Sequence, residues 1–79
     1  MANNVIIKGD QEASLSVVVD APDANTTYVG EAYPGADTTA ALWRVKRISV
    51  SGNVTSIEFA DGNTQFDNVW DDRAILTYT

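Results

Sequence analysis

The oxygen-bearing side chains gathered in the last third of this 79-residue chain are its first candidates for chemistry. Asp61, Asn63, Gln65, Asp67 and Asp72 follow a spacing like that of a calcium loop, in which alternate residues turn oxygens inward around a hard cation. The pattern departs from such a loop at its sixth position, where Phe66 stands in place of the glycine a sharp turn requires, and Gln65 would be a neutral ligand. One reading therefore makes residues 61–72 a small recognition site for calcium or a carbohydrate. The plainer reading makes the same Asp and Asn side chains solvated turn residues that bond to nearby backbone.

Two further clusters invite the same comparison. Asp71, Asp72 and Arg73 place two carboxylates beside a cation, as general acid–base sites do. Neighbouring residues in a loop point different ways, however, and with neither histidine nor cysteine the chain has no nucleophile–base couple. A carboxylate pair acting on a sugar would also need a cleft of a few hundred Å3, which a domain of this size hardly provides. The expectation is a protein that is not an enzyme and has no cofactor. Arg44, Lys46 and Arg47 hold three of the five positive charges, and Arg73 is expected near them. Together with Asp71 they form a candidate protein interface, in which basic side chains of one copy meet acidic loops of another. The alternative is a strand edge on which lysine and arginine discourage unwanted pairing. Trp43 and Trp70 are read as core residues, because the chain has few other large apolar groups.

These residues need elements to position them. The run 40–50, AALWRVKRISV, is rich in β-branched side chains and carries no breaker. Gly52 and Asn53 then suit a tight reversal, and 53–60 alternates again, so the economical reading is a hairpin. A rival makes Asp37 the cap of a helix with Ala41, Leu42, Val45 and Ile48 on one face. As a strand, Trp43 and Val45 share one face and Ile48 and Val50 the other, and a β-bulge near Lys46 and Arg47 would bring all four inward. Further strands are expected over 4–8, 13–19, 26–32 and 74–79, with Gly30 marking a bulge or a close backbone approach. Residues 20–25, DAPDAN, read as a surface loop, and 66–73, FDNVWDDR, as an ordered loop or a single helical turn. Tyr78 is expected to join Trp43 and Trp70 in an aromatic cluster.

Length allows one domain over 1–79. Such a chain buries only about 60% of the surface it exposes when unfolded, and one small core supplies roughly 3–5 kcal/mol. Disulfides and imidazole or thiolate metal sites are excluded by composition, which leaves association with other chains, or a hard cation held by oxygens, as the brace, with association the expected one. Eleven acidic residues against five basic ones give a formal charge of −6, which opposes binding to a phosphate backbone or an anionic membrane. The leading residues, MANNVIIKGD, have the pattern of neither a secretory segment nor a membrane span. The fold expected is all-β: a small antiparallel β-sandwich or partly open barrel of five to seven strands.

The block TYVGEAYPGADTTAALWRVKRISVSG and its continuation SIEFADGNTQFDNVWDDRAILTY resemble short virion structural proteins of tailed bacteriophages. The likeness spans roughly 26–78, and FDNVWD at 66–71 is its most specific part. The chain departs from those proteins at Glu31, Phe59 and Asp72, where relatives carry Lys, Trp and Asn. The resemblance implies a virion component in a tail, baseplate, fibre or head-decorating position, assembled in a host bacterial cytoplasm. Its implied partners are other virion proteins and copies of itself, with no nucleic acid and no membrane. It implies no catalytic or ligand-binding residue.

Overall fold

The structure is a computed structural model that describes residues 14–79. The strand expected over 4–8 lies outside the described residues. Five strands follow in chain order: β1 (Ser16–Asp23), β2 (Thr26–Ala32), β3 (Ala41–Ser51), β4 (Val54–Phe59) and β5 (Asn68–Val69), with a 3-10 turn at Trp70–Asp72. They form an antiparallel sheet in the order β1-β2-β3-β4, to which β5 adds by pairing with the first residues of β3. The all-β expectation is met, and the sheet is not closed into a barrel.

β3 is the axis of the sheet. Its eleven residues pair with β2 from Arg44 to Ser49 and with β4 from Lys46 to Ser51, while Ala41 and Trp43 meet β5. The turn into β4 holds Gly52 at φ 63°, with Asn53 outside the left-handed region. A two-residue loop with positive φ at its first central position matches the right-handed twist of a hairpin, and glycine meets that demand without strain. The helix capped by Asp37 does not form. Asp37 lies in a turn whose carbonyl accepts bonds from the Ala40 amide (3.0 Å) and the Trp43 indole (2.9 Å).

Three expectations are corrected. First, 20–23 is strand and not loop, because β1 runs on to Asp23. Its pairing with β2 shifts register between Asp20 and Asp23, and Pro22 falls inside that irregularity on the outermost described strand, where a missing N–H disturbs least. Second, no bulge interrupts β3 at Lys46 and Arg47. The register with β2 and β4 is continuous there, and the irregularity sits between Ala41 and Trp43. Third, 74–79 is not a strand. Apart from a single bridge between Ala60 and Tyr78, this segment is turn and extended chain, with Ile75 80% exposed.

Continuous register sorts the side chains by strand alternation. One face carries Val18, Gly30, Ala32, Trp43, Val45, Arg47 and Ala60. Residues 70–78 fold back over it, so that the buried core is Ala32, Trp43, Val45, Ala60, Trp70 and Tyr78. The opposite face carries Val17, Val19, Val29, Arg44, Lys46, Ile48, Ile57 and Phe59, and no described element covers it. At Gly30 the expected close approach is real: an added Cβ would lie 2.5 Å from Cε3 of Trp70 and 3.1 Å from Cγ2 of Val18. The bare glycine is therefore the floor on which the indole lies.

Candidate functional site

The covered face is held together by aromatic rings and arginines. Trp43 and Trp70 have ring centroids 6.2 Å apart and tilted, and Tyr28 stands 5.9 Å from Tyr78. Such tilted pairs are favoured by ring quadrupoles. Arg73 reaches from just beyond the 3-10 turn to cover the Trp70 ring at 4.5 Å, and its Nε donates to Oδ2 of Asp20 on β1 at 3.0 Å. Arg47 lies 4.8 Å over Tyr78 and pairs with Glu58 on the neighbouring strand at 2.7 Å. The Tyr78 hydroxyl donates to the Arg73 carbonyl at 2.7 Å. Burial, reinforced by the neighbouring Tyr28, pushes the Tyr78 hydroxyl from its ordinary 10.0 up to about 12. Tyr78 is thus a neutral donor that pins the C-terminal residues to the sheet.

The basic cluster read from the sequence is not one patch. Because residues 44 and 46 alternate with 47, strand geometry sends Arg44 and Lys46 to the uncovered face and Arg47 to the covered one. Arg73 also belongs to the covered side, where it bonds Asp20 and the Trp70 carbonyl. Asp71 faces a third direction: its amide donates to the Thr38 carbonyl and its Oδ2 accepts from the Thr38 hydroxyl. Arg44 bonds Glu31 on β2 at 2.9 Å. Lys46 lies over the Phe59 ring and has no ion pair among the described residues.

The acidic loop is occupied by its own turns. Asp61 and Gly62 both have positive φ, and the Asn63 side chain accepts from the Gln65 amide at 2.9 Å. Oδ1 of Asp67 accepts from the Asn68 side chain at 3.3 Å, while Asp72 closes the 3-10 turn. Among the described residues no three acidic side chains gather as cation ligands, so Asp61, Asp67 and Asp72 do not form such a group.

Sequence reasoning passed over the other end of the uncovered face. There Tyr33, Pro34, Gly35, Ala36, Leu42 and Phe66 line an open hollow of about 380 Å3, with Tyr33 and Phe66 rings 5.4 Å apart and Arg44 at 4.7 Å over Phe66. Leu42 and Tyr33 are both more than half exposed. Their strand parity was the available signal: Leu42, Arg44 and Lys46 share a face, and Tyr33 follows buried Ala32. The hollow's described lining is mostly apolar, with the Tyr33 hydroxyl and the Arg44 guanidinium as the polar groups nearby.

No protein-family model, no curated protein and no solved structure matches this chain.

Proposed function

We propose that the chain is a structural component of a bacteriophage particle, in a tail, baseplate, fibre or head-decorating position, and that it acts through protein–protein contacts. The observation that carries this reading is a sheet that the described residues cover on one side only. Residues 70–78 close one face, while the other keeps Val17, Val19 and Ile57 more than half exposed beside an apolar hollow. Contiguous exposed apolar surface on a small chain marks an interaction site. β1 and β4 end the strand order among the described residues, and edge strands can extend a neighbour's sheet. The resemblance of 26–78 to virion proteins supplies the setting. A charge of −6 accords with protein partners rather than nucleic acid. Mass spectrometry of purified particles of the phage encoding this chain tests the reading: a fixed copy number per particle is expected. Recovery of the chain only in the soluble lysate, with none on washed particles, would overturn it.

A further inference from the structure

We propose that the uncovered face is closed by a second copy of this chain, the two sheets packing face to face into a two-layer sandwich. This deepens the reading of the chain as a protein that works through protein contacts. The face presents apolar side chains to water, with Val19 63% and Ile57 59% exposed in the single chain. Sheets with one apolar face bury it against another layer, about 10 Å away and turned by about 30°.

Size and charge both select a copy of the same chain. Strands of eight, seven, eleven and six residues, about 4.8 Å apart and rising about 3.3 Å per residue, offer on the order of 500 Å2 in projection. Two such faces together bury about 1,000 Å2, the size of a weak, reversible interface. The charges on this face are Arg44, Lys46 and Glu31, a sum of +1 (two positive, one negative), so the face stands apart from the acidic character of the whole chain. Oε1 of Glu31 holds both Nε and Nη2 of Arg44, which leaves Oε2 unbonded among the described residues, and Lys46 has no ion pair among them. Glu31 and Lys46 sit on adjacent strands of one face, offset along them. A two-fold axis lying in the interface between the two positions sets each Lys46 against the partner's Glu31, twice by symmetry. The surface is thus self-complementary in charge as well as in shape class.

Sedimentation equilibrium of the full chain from micromolar to millimolar concentration reads the association. A monomer–dimer equilibrium is expected. Val19→Lys and Ile57→Lys should each weaken it at least 100-fold with circular dichroism unchanged, because both side chains are exposed in the monomer. Lys46→Glu and Glu31→Lys should each weaken the homodimer about tenfold, and an equimolar mixture of the two variant chains should recover wild-type affinity, because in the mixed dimer one cross-pair is restored with reversed sign and the other keeps its original sign. A full chain that stays monomeric at 1 mM overturns the proposal. Labelling of an Ile57→Cys variant then says what holds the face instead: an unreactive thiol means the chain's own leading residues cover it, and a reactive thiol means it is open. A dimer indifferent to Val19→Lys, Ile57→Lys and the charge exchange also overturns it, since association then uses another surface. None of these failures touches the particle test, which stands or falls on copy number in the virion.

Discussion

Replacing Gly30 with alanine tests the central packing relation of the fold. In most strands this change is favourable, because glycine costs roughly 0.5–1 kcal/mol relative to alanine in an element interior. Here the new methyl carbon would lie 2.5 Å from Cε3 and 2.8 Å from Cζ3 of Trp70, with Cγ2 of Val18 at 3.1 Å. Real carbon–carbon contacts lie near 3.5–4.0 Å, so the indole must move by about 1 Å. It cannot move freely, because Trp43 packs against it and Arg73 lies over it. Overpacking of this kind costs about 1–3 kcal/mol. Set against the gain from removing glycine, a net loss of about 1–2 kcal/mol is expected. That is a large part of the roughly 3–5 kcal/mol a core of this size supplies, and about 4–8 °C of Tm for each kcal/mol. Urea unfolding followed by tryptophan fluorescence reads it directly, because both tryptophans are buried at 3% and 6% exposure. Repeating Gly30→Ala in a Trp70→Phe background should cut its cost by at least half, since the smaller ring leaves room. An alanine variant as stable as the parent, or an equal cost in both backgrounds, would show that the indole does not rest on Gly30.

The other expectations follow from the same face. Because the folded state holds the Tyr78 proton more tightly than the unfolded chain, its contribution is complete below pH 10 and is lost as pH rises towards about 12. Urea midpoints should therefore fall by the equivalent of about 1–2 kcal/mol across that window, after allowance for the part of the ring that water reaches. Tyr78→Phe should remove that alkaline decline and cost about 0.5–1.5 kcal/mol at pH 7, where the Arg73 carbonyl loses its donor; a variant retaining the decline would place its cause elsewhere. Arg73→Gln should lower stability by about 1–2 kcal/mol, chiefly through lost cover of Trp70, because the partly exposed pair with Asp20 contributes less than about 1 kcal/mol. If the loss instead vanishes in 1 M salt, the ion pair and not the ring contact is the larger effect.

Local pattern in the sequence carried the centre of the sheet well. β2 has the bounds expected, and the β3–β4 hairpin forms at the glycine expected, because both strands are rich in β-branched and aromatic residues and the hairpin has a turn residue suited to positive φ. The aromatic cluster of Trp43, Trp70 and Tyr78 was legible from scarcity, as few other side chains are large enough to make a core. The C-terminal residues were misread because AILTYT has strand composition, whereas its position is decided by tertiary contacts: Tyr78 anchors and Ile75 points to water. Pro22 was taken as a loop signal, yet an edge strand tolerates proline at a bulge. The basic cluster failed for a reason already visible in the numbering. Residues 44 and 46 differ in parity from 47, so an unbroken strand had to separate them.

The cover of the sheet is encoded downstream of the sheet. β1 to β4 form an up-and-down meander of neighbouring pairings, whereas Trp70 and Tyr78, which cover one of its faces, follow Phe59 in the sequence. Without that cover the described strands would be a sticky ribbon, with Ala32, Trp43 and Val45 open to water. A premature stop anywhere between β4 and Tyr78 would make that hazard permanent.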